Sequence, residues 1–221
     1  MRTGAAIPHI VVPPHLKRVH FVRHAQALPA PDGVADQRRQ LAPEGVKHNE
    51  GIKGALLTIY GTQRRLREAF GVLISTGVDR ADDTCRALAG EPQHFVPFGY
   101  PDPDVTPLNR YYEDHLYSKL KANSVGAYEE LDASIEDRDA VRTVARQALG
   151  ASFGVIGNAE AFAHFGHGTT SEAMAIEVLK AWNACELLIE DLRDLVLKPG
   201  EILVIERNGG GSVMMQFALD D

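Results

Sequence analysis

Basic side chains recur at the ends of three short apolar runs. Arg23 and His24 follow one run, Arg80 comes shortly after a second, and His167 lies between two glycines after a third. On its own the Arg-His pair is better explained as ordinary surface or core residues. If the three runs are parallel strands, their carboxyl ends meet at one edge of the sheet and bring these residues together. Such a set would bind a dianionic phosphoryl group, because arginine forks match its oxygens.

The neighbouring cations also bear on the chemistry of His24. They disfavour the protonated imidazole, and a lowered pKa leaves a lone pair free to attack phosphorus. Arg80 begins a helix whose first turn is otherwise acidic. A cation there opposes the helix dipole, so Arg80 is either exposed by accident or held in place for an anion. His164, within an apolar run, is interpreted as a packed core residue.

The apolar pattern predicts strands alternating with helices, and hence an α/β fold with a parallel sheet. The predicted strands cover 19–22, 72–74, 161–165, 202–205 and 213–217. The predicted helices begin near 43 and 79 and cover 124–149 and 170–188. Residues 61–69 are predicted to be a polar, solvated stretch, and 208–211 a hairpin turn.

Length and composition restrict the class of protein. The 221 residues are interpreted as one domain over 1–221, with an irregular arm at 1–16 and an excursion at the sheet's rim over 91–123. Two widely separated cysteines support neither a disulfide framework nor a zinc site. A net charge of -7 argues against nucleic-acid binding. No stretch approaches the ~18 apolar residues of a membrane span, so a cytoplasmic protein without a membrane partner is expected.

Taken jointly, these stretches resemble the histidine phosphatase superfamily, which has the phosphoglycerate mutase-like fold. The motifs that carry the resemblance are Phe21-Val22-Arg23-His24-Ala25, Leu41-Ala42-Pro43-Glu44-Gly45, Ile74-Ser75-Thr76 with Asp79-Arg80-Ala81 and Thr84, Phe165-Gly166-His167-Gly168, and the closing Lys198-Pro199-Gly200-Glu201. The resemblance implies a three-layer α/β/α fold with a mostly parallel central sheet. Two departures from the family pattern are Ala25, where a glycine is usual, and Ser75-Thr76-Gly77, where Ser-Ser-Pro is commoner. Neither departure removes a phosphate ligand.

The resemblance also implies roles for the site residues. His24 is the expected nucleophile, while Arg23, Arg80 and His167 bind the phosphoryl oxygens and stabilise the transition state. In the family a carboxylate from the middle region protonates the leaving oxygen. Glu113 is the preferred positional match, with Asp114 as the alternative. The expected activity is that of a histidine acid phosphatase-type phosphomonoesterase that needs no metal or cofactor and acts on a small-molecule or protein phosphomonoester.

The sequence bears on three alternatives to this phosphatase. Phosphoglycerate or sugar-phosphate mutases usually carry an Asn-Trp-like run after the Arg-His pair, where this chain has Gln26-Ala27-Leu28-Pro29-Ala30. A catalytically weak protein that binds a phosphorylated ligand is favoured if neither middle carboxylate reaches the pocket. A metalloenzyme is disfavoured, because the histidines lack ligand spacing. Substrate specificity is expected to lie in 26–40 and 91–123, and the sequence carries no signal for oligomeric state.

Overall fold

The computed structural model describes residues 9–29, 38–96, 135–168, 170–195, 197–209 and 211–218. These ranges contain six strands: β1 (Arg18–Arg23), β2 (Val72–Ser75), β3 (His94–Phe95), β4 (Ala161–Gly166), β5 (Ile202–Asn208) and β6 (Gly211–Phe217). They also contain six helices: α1 (Pro43–Tyr60), α2 (Gln63–Phe70), α3 (Asp79–Leu88), α4 (Ile135–Val155), α5 (Thr170–Ala181) and α6 (Glu186–Asp194). No described helix is long and apolar enough to cross a membrane.

The strands form one sheet in the order β3-β2-β4-β1-β5-β6. Neighbouring strands from β3 to β1 pair in parallel, whereas β5 runs antiparallel to β1 and β6 antiparallel to β5. The pairing of Asn208 with Gly211 closes the hairpin that the sequence predicts. The predicted α/β class with a mostly parallel sheet is confirmed.

Helices cover both faces of the sheet. Apolar residues of α1, α2 and α3 pack on one face and those of α4, α5 and α6 on the other, which gives the three layers. The largest fully buried aromatic side chains are Phe21, Phe70, Phe162 and Phe165. Because burying such a side chain contributes about 1.5–3 kcal/mol, these two apolar interfaces can hold the sheet rigid beneath a polar edge.

Most of the stretch 61–69 is exposed, as predicted, but it is folded as helix α2, which the sequence did not indicate. The Thr62 side chain caps this helix by accepting a hydrogen bond from the Arg65 backbone N–H at 3.2 Å. Leu66 and Phe70, four residues apart, bury one stripe of α2 beneath an otherwise charged surface. Two apolar residues among so many charges were too few to reveal the helical period in the sequence.

The single helix predicted over 170–188 is instead two helices. The chain leaves α5 after Ala181, Asn183 adopts a left-handed backbone with φ of 54°, and α6 begins at Glu186. Trp182 and Met174 are buried in the core, as the sequence indicates. Of the helix predicted over 124–149, the part from residue 135 is helical and continues to Val155, while 124–134 lies outside the described residues.

Candidate active site at the carboxyl edge of the sheet

The register of the parallel strands brings the predicted histidines to the same edge. Arg23 of β1 lies beside Gly166 of β4, so His24 and His167 are the first residues beyond two adjacent strand ends. The His24 backbone N–H donates to the Gly166 carbonyl at 2.9 Å and extends the ladder by one residue. The two imidazole centroids are 5.0 Å apart and the rings are inclined at 69°. The predicted convergence of these residues is therefore present.

Hydrogen bonds to both ring nitrogens fix the state of His24. Its Nδ1 lies 2.7 Å from the carbonyl oxygen of Ala25, and the Arg80 Nε donates to its Nε2 across 3.1 Å. Because a carbonyl oxygen only accepts and a guanidinium only donates, the proton is on Nδ1 and the lone pair on Nε2. The ring is partly exposed. This is the tautomer that a nucleophilic Nε2 requires.

The surroundings of both imidazoles keep them neutral. Burial and then the charges of Arg80, Arg23 and Arg39 lower the pKa of His24 to about 3, although the bond to the Ala25 carbonyl opposes the shift. Burial and then the neighbouring His24, Arg80, His164 and Arg23 side chains lower the pKa of His167 well below its usual value. The site thus concentrates fixed arginine charge around uncharged imidazoles, which favours an anion.

Arg80 is 3% exposed, so it is not a surface residue placed by accident at the start of α3. Thr84, one turn further along α3, bonds in two directions. Its hydroxyl donates to the Arg80 carbonyl at 2.8 Å and accepts from the Ala25 backbone N–H at 3.0 Å. Thr84 therefore fixes the first turn of α3 against the loop that carries His24.

Arg23 reaches the edge by another route. Its Nη1 donates to the carbonyl oxygen of Leu197, while its buried Nε has no hydrogen-bond acceptor among the described residues. The guanidinium lies directly against Gly168, where an added Cβ would be 2.9 Å from its central carbon. Gly168 therefore permits the close approach of Arg23 to the turn after His167.

The predicted motif Leu41-Ala42-Pro43-Glu44-Gly45 has a structural role here. Pro43 is at the start of α1, as predicted, and the Ala42 backbone N–H donates to the carbonyl of Gln26 at 2.9 Å. A Cβ at Gly45 would lie 2.2 Å from that same carbonyl oxygen, so the helix can pack this closely only with glycine. The start of α1 thus holds the chain two residues after His24.

Two further contributors at this edge were given no individual role from the sequence. Arg39, within the stretch 26–40 where substrate specificity is expected, donates to the carbonyl of Leu28 at 2.6 Å and helps to lower the pKa of His24. The Thr76 hydroxyl is 3.4 Å from the Nε2 of His167. No spacing signal marks either residue, because the contacts arise only when β2 and the loop after β1 are packed. The other proposed catalytic group, Glu113, and its alternative Asp114 lie outside the described residues.

In the part of the chain that the structure describes, no three His, Cys, Asp or Glu side chains are grouped so that they could hold a metal ion. Two imidazoles with lone pairs and several guanidiniums instead make a set of groups that suits an oxyanion. The fold and the edge together define an α/β protein whose sheet edge carries histidines and arginines of the kind that bind an anion.

Comparison with solved structures identifies the fold. The chain is similar to a candidate phosphohistidine phosphatase, SixA, from Agrobacterium tumefaciens, at a TM-score of 0.53 and 16% identity over 92% of this chain and 99% of that one. It is also similar to the product of the open reading frame Rv3214 from Mycobacterium tuberculosis, at a TM-score of 0.51 and 14% identity over 90% and 95% of the two chains. A candidate alpha-ribazole-5'-P phosphatase from Escherichia coli is similar at a TM-score of 0.50 and 12% identity, over 90% of this chain and 95% of that one.

No protein-family model matches the chain, and no curated protein matches it in sequence. The structural likeness nevertheless spans nearly the whole of both chains in each pair. The chain therefore has the phosphoglycerate mutase-like fold that its motifs predicted.

Proposed function

We propose that this protein is a phosphatase that hydrolyses a phosphomonoester through a phosphohistidine formed at His24. One observation carries the proposal: the lone pair on His24 Nε2 lies 3.1 Å from Arg80 Nε, at the strand edge that also carries His167. A neutral imidazole that faces a fixed cation is arranged to accept a phosphoryl group, because the group's negative oxygens can replace the lone pair as the cation's partner.

Binding of the substrate exchanges one hydrogen bond for another. In the unliganded site Arg80 Nε donates to the Nε2 lone pair of His24. A phosphoryl oxygen is a stronger acceptor than a neutral imidazole, so Arg80 would turn its hydrogen bond to the substrate and free the lone pair. Arg23, whose Nε has no acceptor among the described residues, would take another oxygen. His167, whose ring centroid is 5.0 Å from that of His24, would also contact the group.

The reaction has two steps. In the first, Nε2 of His24 forms a bond to phosphorus as the ester P–O bond breaks, and the leaving oxygen takes a proton. In the second step, water attacks phosphorus and the P–N bond breaks to release inorganic phosphate. The proton of the water passes to the carboxylate that gave its proton to the leaving oxygen in the first step. The low pKa of His24 favours both steps, because an unprotonated imidazole attacks and a weakly basic one leaves readily.

Glu113 is proposed as the proton donor of the first step, with Asp114 as the alternative. The proposed substrate is a small-molecule or protein phosphomonoester, a class that includes the alpha-ribazole-5'-P for which the similar Escherichia coli protein is named. The proposed reaction uses no metal or cofactor and takes place in the cytoplasm.

Hydrolysis of p-nitrophenyl phosphate by the wild type and His24→Ala tests the nucleophile. Loss of an attacking group costs several decades in rate, so we expect a fall in kcat of about 10,000-fold or more in His24→Ala. The wild-type rate should persist in the presence of a chelator. Equal turnover by the two proteins would refute the phosphohistidine route, and vanadate binding without turnover by the wild type would indicate a phospho-ligand binding protein instead.

A separate comparison tests the proton donor. A poor alkyl leaving group needs protonation, whereas p-nitrophenolate leaves without it. Glu113→Gln is therefore expected to lower kcat by about 100-fold for an alkyl phosphate and only slightly for p-nitrophenyl phosphate. Asp114→Asn serves as the matched control, and the opposite result would assign the donor to Asp114.

A further inference from the structure

One turn of the chain holds Arg23 by its backbone and by its side chain. The backbone N–H of Arg23 donates to the carbonyl of Glu201 at 3.1 Å, and its own carbonyl accepts from the Gly200 N–H at 3.1 Å. The guanidinium Nη1 donates to the carbonyl of Leu197. Both ends of the segment 197–201 therefore contact Arg23, so the position of this turn determines where the guanidinium lies.

A buried carboxylate on a different element holds the start of that turn. Glu172, in the first turn of α5, is 2% exposed, and its Oε1 accepts from the backbone N–H of Leu197 at 2.9 Å. The peptide groups of Leu197 thus lie between Glu172, which binds the N–H, and Arg23, which binds the carbonyl. A second carboxylate ties the end of the turn to the next peptide, since Glu201 Oε2 accepts from the Lys198 backbone N–H at 2.7 Å and from Gln216 Nε2 at 2.9 Å.

A buried carboxylate needs a reason to remain in place, because burying it costs several kcal/mol unless it is hydrogen-bonded. A side chain that accepts a backbone N–H could be a local anchor with no functional consequence. Here the anchored residue, Leu197, also binds through its carbonyl oxygen the guanidinium proposed to clamp the phosphoryl group. Arg23 Nε has no acceptor among the described residues, so its direction is set by the bond at Nη1.

We propose that Glu172 is a positioning residue that orients Arg23 towards the phosphoryl group through Leu197, whose backbone N–H it binds and whose carbonyl oxygen accepts from Arg23. The inference rests on the proposed function, since it concerns the phosphoryl site at the same sheet edge. It adds a long-range element to that site: the helix that follows His167 acts on the arginine that precedes His24. Loss of the carboxylate is expected to release Leu197 and broaden the orientations of the guanidinium, which weakens anion binding.

Titration with orthovanadate by calorimetry measures this effect without requiring turnover. We expect Glu172→Ala to weaken vanadate binding by about 10-fold, in the range typical for loss of an outer-shell partner. Glu172→Gln keeps an acceptor oxygen and should recover affinity to within about 3-fold of the wild type. Glu172→Asp cannot reach as far and should lose as much as Glu172→Ala, which provides a second variant if the alanine protein does not fold.

The matched control is Glu177→Ala on the same helix. Glu177 is also buried, but its carboxylate accepts from Arg142 and Arg146 of α4, and no hydrogen bond among the described residues joins it to Arg23 or to segment 197–201. We expect this variant to lower the melting temperature while changing vanadate affinity by less than about 2-fold. Equal losses of affinity in Glu172→Ala and Glu177→Ala would mean that any destabilisation of α5 weakens the site, and would overturn the inference.

A double-mutant cycle with Arg23→Ala separates the mechanism from general weakening. If Glu172 acts through Arg23, its replacement has no further effect once Arg23 is absent. If the double variant binds vanadate more weakly than Arg23→Ala by the full factor seen for Glu172→Ala alone, the inference is overturned. Absence of vanadate binding by the wild type would overturn the proposed function as well. Wild-type binding with Glu172→Ala unchanged would overturn only the role of Glu172.

Discussion

Strands β1 and β4 each contribute one interior histidine and one histidine beyond their carboxyl end. The interior residues are His20 and His164, and the end residues are His24 and His167. Burial is the largest cause of a lowered pKa at all four, reaching about 3 for His20 and about 4 for His164. A lowered pKa therefore does not distinguish a site histidine from a core histidine in this protein.

Contacts do distinguish the two pairs. The His20 ring packs edge-on against Phe70 at 4.7 Å, and neither ring nitrogen of His164 has a hydrogen-bond partner among the described residues. His24 instead has a defined tautomer, a guanidinium on its lone pair and a partly exposed ring. The comparison shows that the direction of the lone pair, rather than the loss of charge alone, marks a histidine able to react.

The largest expected difference in kcat is between a substitution of His167 and a substitution of His164, which lies three residues earlier in the chain. His167→Asn removes a proposed phosphoryl ligand, and kcat is expected to fall about 1,000-fold. His164→Leu, a change within the core, should leave kcat within about 3-fold of the wild type. Steady-state hydrolysis of p-nitrophenyl phosphate by the two variants measures this contrast. Similar losses in both would mean that the interior histidine also takes part.

Arg80→Lys tests whether the guanidinium fork is needed at the lone pair of His24. A lysine keeps the charge but cannot donate from a fixed planar fork, so kcat/KM should fall about 100-fold while the fold is retained. Arg64→Lys is the matched control, because Arg64 is exposed on α2 in an ion pair with Glu68. Activity of Arg80→Lys close to that of the wild type would show that charge alone is sufficient.

The buried neutral state of His164 predicts acid sensitivity of the fold. Its pKa is about 4 when folded and about 6.5 when unfolded, so the unfolded chain binds the proton more readily. The free energy of unfolding is therefore unaffected above about pH 6.5 and falls as the pH drops below that value.

The size of this effect can be measured by urea unfolding. Between about pH 7.5 and pH 5 the contribution of one such histidine is about 2 kcal/mol. His164→Leu should reduce the pH-dependent loss of stability by this amount. The comparison uses the change in the free energy of unfolding between the two pH values. Because altered packing in the variant affects both values alike, it largely cancels from this change. An unchanged pH dependence would show that His164 is protonated in the folded protein or does not titrate separately.

Thr76→Val examines the weakest contact at the edge. Its hydroxyl lies 3.4 Å from His167 Nε2, a long hydrogen bond, and valine has nearly the same shape. We expect kcat/KM to fall by only about 3-fold. A loss as large as that of His167→Asn would mean that Thr76 contacts the substrate directly.

The sequence predicted those parts of the molecule that follow from local pattern. Apolar runs located the main strands, and the rule that parallel strand ends share an edge placed His24 beside His167. It failed for α2, where only Leu66 and Phe70 mark the buried stripe. Arg39 and the link from Glu172 to Leu197 could not be predicted, since they join elements that are distant in the chain and depend on packing.

Direct detection of a phosphorylated His24 tests whether the reaction passes through a phosphohistidine at this residue. The wild type would be mixed with a radiolabelled phosphomonoester, quenched in alkali because phosphohistidine is labile in acid, and mapped by mass spectrometry. If His24 is the nucleophile, label is expected on the peptide that contains His24 within the time of one turnover. No label is expected on that peptide in His24→Ala. Hydrolysis by the wild type without label on His24, or with label on another residue, would contradict a phosphohistidine at His24.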